Sequence, residues 1–163
     1  MPKMPWASCR YRQDGDLHVL TSRLPLKRYR DLPRFLMWTL RIQKQLNRDP
    51  HCAGYTLDAH LLDKTFLTLS AWKDQHSMMR FVHRGPHARM LADMKGRLGE
   101  PTFVESTTTQ ADLPLDWAEA VERLDHAPPT RTPMPPVTPT PQPPRPTPPV
   151  TPTPAEPPKP RAE

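Results

Sequence analysis

Hydrophobic and polar residues alternate in three short segments, and this alternation predicts β-strands. The segments are residues 17–25, 54–61 and 65–72. In each, the period of two residues is that of a β-strand whose two faces meet different surroundings. The last two are joined only by the short turn Asp63-Lys64, so we predict that they pair as a hairpin. We predict a fourth strand over residues 101–108.

Between these strands the apolar residues recur at helical spacing. One such stretch starts at Pro33, a residue suited to a first helical turn, and continues to about Asn47. A second runs from Gln75 to about residue 98, with Asp74 placed to cap it. Gly85-Pro86 interrupts this second helix, because proline removes a backbone donor and clashes with the preceding turn. A last short helix is predicted over residues 115–124.

The order of these elements is β-α-β-β-α-β, followed by a C-terminal helix. This order predicts an α+β fold of the ferredoxin-like type, in which two helices cover one face of an antiparallel sheet. On the third strand Leu67 and Leu69 point to one face, while Phe66 and Trp72 point to the other. Since both faces carry apolar residues, we expect a second subunit to cover the open one and form a homodimer.

Proline content divides the chain into three parts. Of the 25 prolines, 17 follow Ala127. We therefore predict a flexible N-terminus over residues 1–14, a folded domain over residues 15–125 and a disordered Pro/Thr-rich tail over residues 126–163. Within the tail, the sequence PPVTPTP occurs twice. Such a segment favours the polyproline II conformation, so residues 128–160 are expected to recruit a proline-binding domain or only to solubilise the chain.

The charge and the cysteines narrow the class of protein. The formal net charge is +6, and its densest run is Lys27, Arg28, Arg30 and Arg34. We interpret this run as a solvated surface with anion contact as the alternative, and we expect no nucleic-acid partner because no aromatic platform or motif accompanies it.

Cys9 and Cys52 have no metal-binding spacing and are expected to be free thiols. No membrane span or signal peptide is visible, so the predicted location is the cytoplasm.

Strand, aromatic residues and histidines converge in residues 65–94. The features are the predicted hairpin, the motif Phe66-x-Thr68-x-Ser70-x-Trp72, the following Phe81, and the step Gly85-Pro86-His87. Over roughly residues 15–125 the sequence resembles the dimeric α+β barrel superfamily of the antibiotic-biosynthesis monooxygenases. The resemblance implies two ferredoxin-like subunits joined sheet to sheet, each with a pocket between its helices and its own sheet. Members include cofactor-free oxygenases, haem-degrading enzymes and haem-dependent carotenoid oxygenases.

The resemblance directs attention to one set of candidate site residues. His83, His87 and Trp72 are the candidate catalytic residues. The candidate substrate-binding residues are Phe81, Trp38, Tyr55, Met78 and Met94. For the aromatic residues and methionines the alternative is ordinary hydrophobic core, and for His87 it is a contact at a helix start.

A cofactor is not expected, although haem is an alternative because a single histidine can serve as its axial ligand. The haem degraders of the superfamily carry their ligand about one turn later on this helix, where this chain has residues 88–91, none of them histidine. His83 and His87 are four residues apart, but Gly85-Pro86 lies between them and no carboxylate completes a ligand set. We therefore predict no metal site.

The sequence thus favours a monooxygenase-like protein, either cofactor-free or haem-dependent. It would act on a hydrophobic small molecule, aromatic or polyene, held between helices and sheet. The alternative is a non-catalytic dimeric module that binds a ligand or protein and carries a proline-rich recruiting tail. Both rest on resemblance of fold, which does not fix a function.

Overall fold

The computed structural model describes residues 3–12 and 15–128, and these form one antiparallel sheet with helices on both faces. The strands are β1 (Ala7–Ser8), β2 (Asp16–Pro25), β3 (Cys52–His60), β4 (Thr65–Trp72) and β5 (Thr102–Thr109). The helices are α1 (Leu32–Leu46), α2 (Gln75–Val82), α3 (Gly85–Asp93) and α4 (Trp117–His126). The predicted tail from residue 129 onward lies outside the described residues.

The predicted ferredoxin-like fold is confirmed. The strand order is β1-β3-β4-β2-β5 and every neighbouring pair is antiparallel. β3 and β4 form the predicted hairpin, and β4 also pairs with β2. Trp72 is therefore flanked by His18 on β2 and by Cys52 on β3, which places it in the middle of the sheet at the end where α2 begins.

The predicted helix interruption is confirmed and has a local cause. Gly85 has φ of +57°, a left-handed backbone conformation that glycine adopts without steric cost. α2 therefore ends at Val82 and α3 restarts at Gly85. Asp74 caps α2 as expected, since its carboxylate accepts a 2.7 Å hydrogen bond from the Ser77 N–H.

The two faces of the sheet are covered by different helices. α1, α2 and α3 cover the face that carries Phe66 and Trp72. α4 covers the opposite face, where Trp117 and Leu124 pack in one cluster with Leu69. The face that we expected a second subunit to cover is therefore buried by a helix of the same chain, so exposed apolar surface on this sheet no longer argues for a homodimer.

A short N-terminal strand, β1, is an element that the sequence pattern does not predict. Its segment follows the outer edge of β3, with hydrogen bonds from Met4 N to Leu57 O at 2.9 Å and from Cys9 N to Ala53 O at 3.0 Å. A Cβ atom at Gly54 would lie 2.5 Å from the Trp6 indole. Glycine at this position therefore allows the N-terminal segment to approach β3.

None of the helices in the described part of the chain has the length and apolar character required to cross a membrane.

Candidate functional site

Three aromatic rings form a continuous row where β4, α2 and α3 meet. The Trp72 and Phe81 ring centroids are 4.9 Å apart, and those of Phe81 and His87 are 5.5 Å apart. Trp72 ends β4, Phe81 lies in the last turn of α2 and His87 lies in the first turn of α3. We call Trp72, Phe81 and His87 the aromatic row; the structure brings together these three predicted site residues.

The inner end of the aromatic row is closely packed. Trp72 is 2 % exposed, and its indole N–H donates to Ser70 Oγ at 3.0 Å. Two other predicted site residues, Tyr55 and Met78, belong to the same buried cluster. The Tyr55 hydroxyl donates to Asn47 Oδ1 at 3.1 Å, so the polar groups here already have protein partners.

His87 ends the row as a neutral imidazole. Its Nδ1–H donates to the Val82 carbonyl at 3.1 Å, which leaves Nε2 as the unprotonated nitrogen. Burial of the ring lowers the pKa of His87 to about 4, and the charge of nearby His83 acts in the same direction. The imidazole is therefore uncharged at neutral pH, and its Nε2 is able to accept a hydrogen bond.

His83 occupies a different environment. It caps the C-terminus of α2, its backbone N–H donates to Met79 O at 3.1 Å, and it is exposed. The two histidines thus lie on separate helices, one at the surface and the other in the row. No group of three potential metal-ligating side chains occurs among residues 3–12 and 15–128.

Trp38 and Met94 do not join the aromatic row. They lie in a separate buried cluster with Phe35 and Phe66. The Trp38 indole N–H donates to Asp93 Oδ2 at 2.7 Å, which fixes the ring between α1 and α3. The predicted substrate-binding residues are therefore divided between two regions of the core.

Gln45 on α1 holds the break between α2 and α3, and the sequence analysis missed it. Its Nε2 donates to the carbonyls of Phe81 and Arg84 at 3.3 and 3.0 Å, while its Oε1 accepts the His87 N–H at 3.1 Å. One side chain thus satisfies backbone groups at the end of one helix and the start of the next. No sequence signal identifies it, because its partners are distant along the chain.

Gln45 also lines a surface cavity of about 470 Å³. The other lining residues are Arg41, Lys44, Arg48, Asp49, Pro50 and Pro86. The same Gln45 side chain therefore lines the cavity and binds the backbone N–H of His87. Four of the cavity's seven lining residues carry a charge, unlike the residues of the aromatic row.

The residues around the histidines do not fit haem. A haem ligand requires a large apolar slot beside it, whereas His83 is exposed and His87 packs on Phe81, itself 4 % exposed. Met78, in the core cluster with Phe81, is fully buried. Neither histidine is therefore assigned as a haem ligand.

Cys9 and Cys52 are free thiols, as predicted, and the structure places them together. Both are buried, and the Cys52 thiol donates to Cys9 Sγ at 3.1 Å. The hydrogen bond with Cys9 and burial raise the pKa of Cys52, so it remains protonated at neutral pH. The pair joins the N-terminal segment to β3 next to Trp72.

Comparison with known proteins agrees with the fold. No protein-family model matches the sequence, and no curated protein matches it. A protein provisionally named a monooxygenase from Fusobacterium nucleatum superposes with a TM-score of 0.54 and 9% identity, covering 64% of this chain and 48% of its own. A similarly named protein from Lactobacillus acidophilus gives a TM-score of 0.50 and 11% identity, with 63% and 50% covered.

The chain has the ferredoxin-like fold of these monooxygenase-like proteins. The resemblance inferred from the motif ending at Trp72 is thereby confirmed at the level of fold. The chain spans about half the length of the two proteins. A cofactor-independent oxygenase from Streptomyces nogalater is also matched, with a TM-score of 0.45 and 14% identity over 58% of this chain and 93% of its own.

Replacing Gln45 with alanine should destabilise the break in this monooxygenase-like fold. Removing the amide leaves the carbonyls of Phe81 and Arg84 and the N–H of His87 without this partner, at a cost of about 1–3 kcal/mol. Urea unfolding measures the loss, and hydrogen exchange of the His87 amide should accelerate. Lys44→Ala, at an exposed neighbouring position, is the control and should change stability by less than about 0.5 kcal/mol.

The low pKa of His87 predicts a dependence of stability on pH. An unfolded histidine has a pKa of about 6.5, while that of folded His87 is about 4. Between these values the unfolded chain binds more protons, so the free energy of unfolding should fall as the pH is lowered from 6.5 to 4. His87→Gln should remove up to about 3 kcal/mol of that fall; identical pH profiles for the two proteins would contradict the assignment.

Proposed function

We propose that this chain is a cofactor-free, monooxygenase-like protein that binds a hydrophobic aromatic or polyene molecule against the aromatic row. The observation that supports the proposal is the row itself, in which Trp72 and Phe81 lead to the neutral imidazole of His87. Flat rings pack well against aromatic side chains. A site of this kind combines an apolar surface with one polar group that reacts.

His87 would act as the general base, because the negative charge that develops on the substrate oxygen would raise the low pKa of the imidazole beside it. Its Nδ1–H is held by the Val82 carbonyl, so Nε2 is the nitrogen that accepts a proton from a hydroxyl of the substrate. Deprotonation makes a hydroxylated aromatic ring electron-rich, which promotes its reaction with O₂ without a cofactor. Trp72 would contribute ring contact and Phe81 would orient the substrate toward His87.

Ligand entry requires the α2–α3 break to move, because Trp72 and Met78 fill the interior. The backbone at the break is able to change conformation. Gly85 tolerates a change of backbone conformation, and the three hydrogen bonds by which Gln45 holds the two helices together would have to open. The cavity lined by Gln45 and Pro86 lies next to this break, and it is the proposed side of entry.

The same close packing favours a second candidate function, a non-catalytic binding module. With Trp72 2 % exposed and Met94 fully buried, the apolar site residues serve as core and the partners bind elsewhere. The predicted homodimer belongs to both candidates, and the recruitment of a proline-binding domain by residues 128–160 belongs to this one. Sedimentation of the full chain at micromolar concentration tests the dimer, which a clean monomer would exclude under those conditions.

Oxygen uptake distinguishes the two candidates. In the presence of a dihydroxynaphthalene, purified wild-type protein should consume O₂ faster than the same compound does in buffer without protein. His87→Gln should lower the protein-dependent rate by roughly 10²-fold or more, the usual contribution of a general base. His126→Gln, the matched histidine control at an exposed position on α4, should leave it unchanged. A protein without uptake on a panel of hydroxylated aromatics would favour the binding module.

A further inference from the structure

Two segments distant in sequence bring five cations to one surface cleft. Lys27, Arg28 and Arg30 precede α1, while Lys95 and Arg97 follow α3. Asp31 and Gly96 complete the lining of the cleft, whose volume is about 390 Å³. We call this set of residues the cationic cleft. It is distinct from the cavity beside the aromatic row, with which it shares no residue.

The backbone fixes the two halves of the cleft against each other. Lys27 N donates to Arg97 O at 2.9 Å, and Gly99 N donates to Pro25 O at 2.7 Å. A β-bridge also joins Leu26 to Leu98. The cations therefore face one another because of main-chain hydrogen bonds, although their side chains repel.

Asp31 compensates only one of the five cations. Its carboxylate is buried, with 5% side-chain exposure, and it accepts a hydrogen bond from Arg97 Nη1 at 2.6 Å. Within the described part of the chain no carboxylate pairs with the remaining four, which are Lys27, Arg28, Arg30 and Lys95. The lining thus carries five positive charges and one negative, a net charge of +4.

Concave clusters of one sign of charge attract and concentrate ions of the opposite sign. Arginine guanidinium groups bind phosphate oxygens through two parallel hydrogen bonds, and lysine adds a compact charge. Four uncompensated cations in two opposing segments exceed what a single phosphate monoester neutralises. They suit two adjoining phosphates, and a cleft of about 390 Å³ suits a small molecule better than an extended polymer.

We propose that the cationic cleft binds the diphosphate group of a small phosphorylated molecule. Arg28 and Arg30 contact it from one side and Lys95 from the other, while Arg97 is held in place by Asp31. The site stands independently of the chemistry proposed at the aromatic row. It gives the chain a second ligand, chemically unlike the hydrophobic one.

Titration calorimetry of the full chain with inorganic pyrophosphate at low ionic strength tests the proposal. The expected result is saturable binding of one pyrophosphate per chain, weakened by added salt because the cleft is exposed to screening. Orthophosphate should bind more weakly than pyrophosphate. The double variant Arg28→Gln/Lys95→Gln should weaken pyrophosphate binding by about tenfold, as expected for two lost ion pairs.

Arg41→Gln/Arg48→Gln is the matched control, because it removes the same charge from the other cavity. It should change the affinity for pyrophosphate by less than about twofold, because neither Arg41 nor Arg48 lines the cationic cleft. Equal weakening in both double variants would overturn the proposal, because binding would then follow net charge alone. Absence of saturable binding would also overturn it, as would tighter binding of a short single-stranded oligonucleotide than of pyrophosphate to the wild type.

Discussion

Replacing Trp72 with alanine is expected to lower the free energy of unfolding by about 3–5 kcal/mol, the usual cost of removing a large buried aromatic side chain. Trp72 is 2 % exposed and packs on Phe81 at a ring-centroid distance of 4.9 Å. Truncation leaves a cavity at the centre of the sheet and removes the indole donor to Ser70. Urea unfolding followed by circular dichroism measures the change.

Trp72→Phe separates packing from hydrogen bonding at the same position. It keeps an aromatic ring against Phe81 but removes the N–H, so it should cost less than the alanine variant, about 1–2 kcal/mol. Leu62→Ala is the surface control, since Leu62 is 88 % exposed, and its effect should be within about 0.5 kcal/mol. A loss below about 1 kcal/mol in Trp72→Ala would show that Trp72 does not pack as the structure describes.

Leu124→Ala should produce the second large effect, a loss of about 2–5 kcal/mol. Leu124 is 1 % exposed on α4 and belongs to the cluster that buries Leu69 and Ala71 on the far face of the sheet. Glu122→Ala on the same helix is the control, because Glu122 is exposed. Thermal unfolding of both variants gives the comparison.

The outcome for Leu124 also tests what covers this face. If α4 covers it, Leu124→Ala destabilises the chain at every protein concentration. A small loss, together with a melting temperature that rises with protein concentration, would show that a second subunit covers the face instead.

Much of the fold follows from local signals in the sequence. On β4 the alternation of Phe66 and Leu67 identifies both faces of the sheet, and the structure places each in the expected cluster. The Gly85-Pro86 break is equally local, because backbone geometry at two residues ends a helix. The sequence also places Trp72, Phe81 and His87 on three consecutive elements, although it does not predict that their rings touch.

Features that depend on long-range contacts could not be predicted. β1 has only two residues, and its position depends on the space that Gly54 leaves for Trp6. The clamp formed by Gln45 joins α1 to a break far along the chain. The basic run before α1 was visible in the sequence, but its opposing cations follow α3, so the cleft appears only in the folded chain.

The separation of the candidate site residues has a similar cause. Trp38 and Met94 are large apolar residues on predicted helices, as Phe81 is. They nevertheless pack with Phe66 in another part of the core. Helical spacing predicts which residues are buried. It does not predict which buried residues touch across elements.

Binding of a hydrophobic aromatic molecule at the aromatic row is the central claim, and the tryptophan indole N–H signals test it directly. The chain has four tryptophans, and their positions differ: Trp72 is in the row, Trp38 is in a separate cluster, Trp117 is on the opposite face of the sheet and Trp6 is beside β3. In ¹⁵N-labelled protein each indole gives its own signal, and Trp72→Phe identifies that of Trp72.

The measurement is a titration of the labelled full chain with 1-naphthol. The account predicts a saturable shift of the Trp72 indole signal, while the signal of Trp117 stays in place. His87→Gln should keep a shift of the Trp72 signal, since the rings of Trp72 and Phe81 remain in contact. An unmoved Trp72 signal, with shifts only at Trp117 or at none of the four indoles, would contradict the claim.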